Sequence, residues 1–368
     1  MNAGRVLLLT RRPPAGRSRH DDASRAHAGA RLAQLLGYAF AGEYGAQDDG
    51  AGHAYFLPDE TLLAADAARL GVRSGADLFG GVAPHAFVAT KAITHPLVWP
   101  DAHSPPGWSH AVGPLLEGVV LHGYTAFARD DARRAAREVL RRGRARLKRV
   151  TGIGGSGQTA VADLDAFDAA LAGVADDELA THGVVVEQNL EEAVTYSIGQ
   201  LEVGGRRIAY YGTQRSVRNH HGHDVYGGSD LVVVRGGVEA LERVDMPAHA
   251  REALARARRY DAAVARAFPG FFASRRNYDV ACGRDADDGV HVGVLEQSWR
   301  FGGASAAEIA ALHAFERDAG LDLVLASTHE VYGEVDAPAH ALVSFRGVDP
   351  QAGAMTKYCT VEAHGHPA

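Results

Sequence analysis

The stretch LKRVTGIGGSGQTAV, from Leu147 to Val161, constrains the fold more than any other part of the chain. Gly152, Gly154 and Gly157 spell G-x-G-x-x-G, the dinucleotide fingerprint, and Gly152 to Thr159 spell a Walker A loop whose lysine has become Gln158. Both patterns need the glycine loop to open directly into a helix whose N-terminus meets the phosphate. Here the loop runs into the short, β-leaning TAVAD, and only then does LDAFDAALAG read as helical. No strand ending in Asp or Glu follows about twenty residues on, where a ribose ligand belongs. The order is strand, glycine loop, strand, helix. This predicts a flexible hairpin laid over a ligand, with Lys148 on the entering strand, and disfavours a Rossmann oxidoreductase.

Composition narrows the class. A net charge of -7 over 368 residues argues against general binding to nucleic acid or an anionic membrane. The early apolar run VLLLT is broken at once by RRPP, which predicts neither a leader nor a membrane span. The two cysteines, Cys282 and Cys359, are too few for a disulfide scaffold or a zinc ribbon, so the expected compartment is the cytoplasm.

Along the chain, GRVLLLT reads as a strand, DDASRAHAGARLAQLLG as a helix closed by Gly37, and YAFAGEY as a second strand. HAYFLPDETLLAADAARLG repeats the strand-then-helix order, which favours a small open α/β domain. HPLVWPDAHSPPGWSHAVGP then reads as a linker, and ARDDARRAAREVLRRG as a helix with a solvated basic face. TQRSVRNHHGHDVYGGSD reads as a mobile loop in which Arg215 and Arg218 supply anion contacts, or else as a plain exposed polar loop. Its His220, His221 and His223 share no regular face, so the segment does not read as a zinc site.

The densest chemistry lies in NYDVACGRDADDGVHVGVLEQSWRFGG. Tyr278, Val280 and Cys282 alternate with Asp279 and Ala281, so Asp279 faces away from the apolar side of a strand. DADDG is a turn signal, and a hairpin symmetric about Asp287 and Asp288 places Asp279 opposite Glu296. Facing carboxylates have Cβ atoms roughly 5 Å apart and repel unless a cation intervenes. A hard divalent ion is the natural solution, Mg²⁺ being usual beside nucleotide phosphates. Glu296, Ser298 and Arg300 share one strand face, so the arginine points toward the same site. An exposed hairpin with scattered charges is the alternative.

Taken in order, these segments resemble the ATP-grasp superfamily, over roughly residues 91 to 334. Lys148 and the glycine hairpin resemble its first nucleotide lysine and phosphate loop. GVVVEQNLEEAVTYSIGQLEVGGRRIAYYG resembles its hinge into a larger antiparallel sheet, and the 277–303 segment its metal hairpin, an Asp followed by Glu-x-Asn-x-Arg. The resemblance implies a mixed α/β and α+β fold, with an N-terminal α/β domain over 1–95 and a linker over 96–120. A small lobe over 121–190, a large lobe over 191–335 and a C-terminal segment over 336–368 complete it. It implies ATP bound by Lys91, Lys148, Gly154, Gly155, Ser156 and Gly157, adenine held at Glu187, Gln188, Asn189 and Leu190, and ribose at Glu192, although the usual spacing falls nearer Thr195. Mg²⁺ falls to Asp279, Glu296 and Ser298, where serine replaces the family's asparagine, with Arg300 and Arg218 as the catalytic cations. The implied reaction is ATP-dependent activation of a small-molecule carboxylate to an acyl phosphate, then attack by an amine or another nucleophile. Assembly as a homodimer is compatible with this. A phosphotransferase of the same fold and a non-catalytic ATP-binding protein, the latter suggested by Ser298, are the rival readings.

Overall fold

The computed structural model describes residues 4–45, 52–150, 157–333 and 335–364. Among them, no helix is long and apolar enough to cross a membrane. The N-terminal domain is built on β1 (Arg5–Leu9), which lies parallel between β2 (Ala39–Glu43) and β3 (Ala54–Pro58). A central parallel strand is covered on both faces, which is why RVLLL is apolar without alternation. Between β1 and β2 runs α1 (Arg19–Leu36). Ser18 caps it by accepting from the Asp21 N–H, and Gly37 closes it at φ 68°, a left-handed conformation suited to glycine. Then come β4 (Leu62–Leu63), α2 (Ala64–Leu70) and β5 (Gly81–Ala83), which pairs with β4.

The segment expected to be a linker, 96–120, is pinned in place. It contains α3 (Val112–Leu116), and its Trp108 packs between Phe87 and Phe127 at ring distances of 5.4 and 5.3 Å. The Pro96 carbonyl accepts from Thr125 N–H, and the Val119 carbonyl from Val294 N–H. Proline and glycine there shape a fixed irregular path, because apolar side chains anchor it on both sides.

A small antiparallel sheet follows, built from β6 (Gly123–Ala126), β7 (Ala145–Arg149), β8 (Gln158–Val161) and β9 (Val184–Gln188) in the order β6-β9-β7-β8. α4 (Arg129–Leu140) buries Ala132, Ala135, Ala136 and Val139 at helical spacing in the same core as Val184 and Val186. α5 (Leu164–Leu171) adds Phe167 to that core, and α6 (Asp176–His182) leads into β9. β7, β8 and α5 fall in the expected order, with a strand on each side of the glycine-rich segment and the helix after the second. Residues 151–156, including Gly154, Gly155 and Ser156, lie outside the described residues, whereas Gly157 accepts from Arg149 N–H at φ 71°.

The rest of the chain forms one large antiparallel sheet. Its strands are β10 (Glu191–Val203), β11 (Arg206–Arg218), β12 (Asp224–Arg235), β14 (Arg275–Arg284), β15 (Val290–Ser298), β16 (Leu323–Tyr332), β17 (Leu342–Asp349) and β18 (Gly353–His364). They run in the order β15-β14-β10-β11-β12-β16-β18-β17. α7 (Val238–Leu241) and α8 (Ala248–Ala267) follow β12, the short β13 (Phe272–Ala273) pairs with β5, and α9 (Ser305–Arg317) precedes β16. Residue alternation sends Ala209 and Val234 into the core with α8, and Ile208, Tyr210 and Val233 into the core with α1 and α9. Two expectations are corrected here. Residues 215–229 are not an open loop but the far end of the β11–β12 hairpin, paired from Gln214↔Ser229 to Arg218↔Asp224. Residues 342–364, expected in a separate C-terminal segment, are two strands of the large sheet, with β18 registered on β16 from Leu323↔His364 to Tyr332↔Met355.

Candidate functional site

The small sheet, the large sheet and the loops after β1 enclose a cleft of about 1330 Å³. At one end, Lys148 on β7 and Glu187 on β9 meet with Nζ 2.5 Å from Oε1, and His95 Nε2 lies 2.9 Å from the other carboxylate oxygen. All three side chains are buried. Burial alone would raise the Glu187 pKa, but the Lys148 ammonium and the His95 hydrogen bond outweigh it and hold the carboxyl at about 2. The Glu187 carboxylate is therefore fully engaged by protein groups. A purine beside it would meet apolar surface instead.

The backbone donors of this segment are also engaged within the protein. Gln188 N–H bonds to the His122 carbonyl and Asn189 N–H to the Arg144 carbonyl, each within 2.9 Å, while Arg146 Nη2 donates to Asn189 Oδ1 at 2.6 Å. Leu190 packs with Leu121, Ala281 and Leu295 into an apolar cluster whose residues also line the cleft. Leu295 reaches it through a bulge. Asn277, Tyr278 and Asp279 pair with Ser298, Gln297 and Glu296, but Val280 pairs with Val294, so Leu295 is an extra residue on β15. In a regular strand Leu295 and Glu296 would face opposite sides; the bulge lets both line one cavity.

The expected pairing of Asp279 with Glu296 is present. The two carboxylates lie at the cleft's other end. Asp279 Oδ1 accepts from Asn277 Nδ2 at 2.9 Å and from Ser197 Oγ at 3.4 Å, and Ser197 in turn accepts from Gln214 Nε2 at 3.0 Å. Burial and the facing Glu296 charge push the Asp279 pKa up to about 6 despite those donors. Glu296 Oε2 lies 2.7 Å from Nζ of the buried Lys91, so an ammonium is the cation beside it. Among the described residues, no group of three or more His, Cys, Asp and Glu side chains converges on a metal position. A divalent ion here would rest on two carboxylates, with Ser298 and its cross-strand neighbour Asn277 as neutral groups beside them. That donor chemistry fits a hard ion whose remaining ligands are phosphate oxygens and water.

A buried network supports this end. The Arg275 fork grips Glu308 on α9 at 2.8 and 2.7 Å, and its Nη1 donates to the carbonyls of Ser298 at 3.1 Å and Arg300 at 2.6 Å. The Tyr210 hydroxyl lies 2.5 Å from Glu308 Oε1 and 2.9 Å from Asn277 Oδ1. The cross-strand neighbour of both Tyr210 and Asn277 is Gly199, where a Cβ would come within 2.3 Å of the Tyr210 ring. Only glycine permits that approach. Arg300 itself lines the cleft, and burial together with the nearby Arg12 charge pulls its guanidinium down to about 10.

Two expected site residues stand elsewhere. Arg218 is at the tip of the β11–β12 hairpin, with its side chain 79% exposed and 3.7 Å from Asp224, and it is not among the residues lining the cleft. Arg215 does line the cleft, but it is spent on Asp230 and the Thr328 carbonyl. Glu192 is exposed at φ 50° on a β10 bulge, whereas Ala193, Val194 and Thr195 face the cleft. Sequence reasoning missed His95, Arg275, Glu308 and Asn277. Only Asn277 carried a local signal, since it lies two residues before Asp279 on the same strand face.

No curated protein matches the sequence. Among solved structures, the chain resembles N5-carboxyaminoimidazole synthetase from Staphylococcus aureus complexed with ADP, at 10% identity and a TM-score of 0.52 over 98% of this chain and 94% of that one. It also resembles an ADP complex of N5-carboxyaminoimidazole ribonucleotide synthetase, at 12% identity and a TM-score of 0.53 over 98% and 93%. Phosphoribosylamine–glycine ligase from Thermotoga maritima matches at 13% identity and a TM-score of 0.50 over 98% and 92%. These are ATP-grasp ligases, and the likeness gives this chain the ATP-grasp fold. Residues 7–359 match the family described as Protein of unknown function (DUF3182), and the chain belongs to that family.

Proposed function

We propose that the protein is an ATP-dependent ligase that activates a carboxylate as an acyl phosphate for attack by an amine or another nucleophile. One observation carries the reading. A single cleft has an apolar slot and hinge at one end and, at the other, two facing carboxylates beside Lys91 and Arg300. Two of the similar structures hold ADP, which supports a nucleotide in the corresponding cleft here.

On this reading the purine lies against Leu121, Leu190, Ala281 and Leu295, and Lys148 and Lys91 face its phosphates. Mg²⁺, held by Asp279 and Glu296 with Ser298 beside them, supplies charge neutralisation on the phosphate oxygens. The acceptor carboxylate oxygen attacks the γ-phosphorus and ADP leaves. The amine then attacks the acyl carbon, phosphate leaves, and the amine proton passes to solvent or a cleft base. The chain's contribution is to position the partners and oppose developing charge, chiefly through Arg300. No protein nucleophile is required. Cys282 and Cys359 are both buried, with their thiols pushed upward by burial, unlike activated cysteines.

A non-catalytic ATP-binding protein is the second reading, favoured by Ser298, a weaker ligand than an amide oxygen. A screen of pooled carboxylates and amines for release of ADP and phosphate separates the two, with hydroxylamine added to trap acyl phosphate as a hydroxamate. Stimulated release with hydroxamate supports the ligase. Nucleotide binding without release under any pool supports the silent binder.

A further inference from the structure

Arg300 is a cation of the cleft that makes no direct ion pair among the described residues, although the Glu296 and Glu60 charges lie near enough to act on it. Among the described residues no carboxylate lies within ion-pair distance of it, and its guanidinium donates only from Nη1 to the Phe301 carbonyl at 2.8 Å. Neighbouring arginines differ. Arg275 is gripped by Glu308, Arg17 by Asp22, and Arg25 by Glu43.

A second guanidinium reaches the same region from the N-terminal domain. Arg12 lies in the loop after β1, its backbone N–H bonded to Asp59 and its Nε 3.2 Å from Glu60. Glu60 is half exposed, so this pair is screened, and Nη2 donates to the Asp59 carbonyl at 3.5 Å, which leaves Nη1 without a partner among the described residues. The next residue, Thr61, donates from Oγ1 to the Trp299 carbonyl at 3.3 Å, and Gly81 N–H donates to that carbonyl at 2.8 Å. The strand end carrying Arg300 is thereby fastened to the loop carrying Arg12's partner. Both arginines line the cleft. Two guanidinium groups brought toward one cavity repel, and an oxyanion between them removes the repulsion while meeting both forks.

We propose that Arg12 and Arg300 together seat an oxyanion of the acceptor substrate, a carboxylate or a phosphate ester, and that Arg12 selects for it. Calling the ligand an acceptor rests on the ligase reading. The nucleotide-facing residues come from the two lobes and the 91–95 segment, so an arginine from the loop after β1 serves the other substrate.

The test is calorimetric titration of malonate and, separately, of inorganic phosphate into the full chain. The nucleotide site is first filled with Mg²⁺ and a non-hydrolysable ATP analogue. At least one anion should bind the wild type and the Arg17→Gln control equally. Arg12→Gln should weaken that binding about tenfold or more, with Arg12→Lys between, because the charge survives without the fork. Analogue affinity in Arg12→Gln should stay within about twofold of wild type, since only the acceptor seat has changed. Preference for phosphate marks a phosphate-ester acceptor, and preference for malonate a carboxylate. Neither anion binding the wild type, or both binding Arg12→Gln unchanged, overturns the proposal. Failure of the analogue to bind the wild type counts instead against the nucleotide reading, and the same titrations without nucleotide then decide the role of Arg12.

Discussion

The two ends of the cleft contain similar charges in opposite conditions. At the hinge, Glu187 is met by Lys148 and His95, and its carboxyl is held at about 2. At the β14–β15 hairpin, Asp279 faces Glu296 and rises to about 6, while Arg300 falls to about 10. At the first end the carboxylate is already paired within the protein. The second has like charges facing each other and a cation that makes no direct ion pair among the described residues, an arrangement that costs stability and is found where ligands complete a site. Buried charge thus has two uses in this cleft. Glu187 and Lys148 hold its shape, and the hairpin end waits for what binds there.

Variants at each end should separate these uses. The largest effect is expected for Lys148→Met, which leaves the Glu187 carboxylate buried with only His95 opposite. Urea denaturation should show a loss of about 3–5 kcal/mol, together with loss of the thermal shift given by Mg-ADP. A variant that keeps wild-type stability would mean the pair is not structural. Next is Arg300→Lys, which should bind Mg-ATP within a fewfold of wild type yet lose roughly a hundredfold in rate once a substrate pair is known, about 3 kcal/mol of transition-state stabilisation. An unchanged rate would remove Arg300 from the catalytic machinery.

A smaller effect, of opposite sign, is expected for Asp279→Asn. A carboxyl whose pKa is raised in the folded protein keeps its proton longer than in the unfolded chain. It therefore costs stability as pH rises from its ordinary 3.8 toward about 6. The variant should gain on the order of 1–2 kcal/mol over wild type at pH 8 and nothing at pH 4. Glu187 runs the other way, its contribution present above 4.5 and lost as pH falls toward about 2. Matching stability profiles for wild type and Asp279→Asn across pH 4 to 8 would contradict the strained-pair account. Smallest is Arg218→Ala, which should change stability and nucleotide binding by less than about 0.5 kcal/mol, because its side chain stands in solvent outside the cleft. A large loss of nucleotide affinity would show that the hairpin folds over the cleft during binding.

Local signals carried much of this. The two strands and the helix within 145–171 are legible because short β-leaning segments flank the glycines. The Asp279–Glu296 pairing is legible from the DADDG turn and strand alternation, but the symmetric register holds only because Leu295 bulges; from Val280 toward the turn the true pairs are shifted by one. What was not readable depends on long-range assembly. His95 meets Glu187 across 92 residues, and Arg275 meets Glu308 across 33, with no sequence pattern joining either pair. The 215–229 segment misled because glycines and histidines mask a strand whose backbone is held by a neighbouring strand rather than by side-chain burial. β17 and β18 were missed for a related reason. Val343 and Val348 are exposed on the edge strand, so the two-residue apolar alternation that marks a half-buried strand is weak there.

The most direct test of the contrast between the two ends is the metal dependence of nucleotide binding. ATP affinity would be measured calorimetrically with Mg²⁺ and with EDTA, for the wild type and for the Asp279→Asn, Glu296→Gln double variant. If the facing carboxylates await a cation that arrives with the nucleotide, Mg²⁺ should tighten ATP binding to the wild type by about tenfold or more and do little for the double variant. Equal affinity with and without Mg²⁺ in the wild type, or no ATP binding at all, would contradict the account.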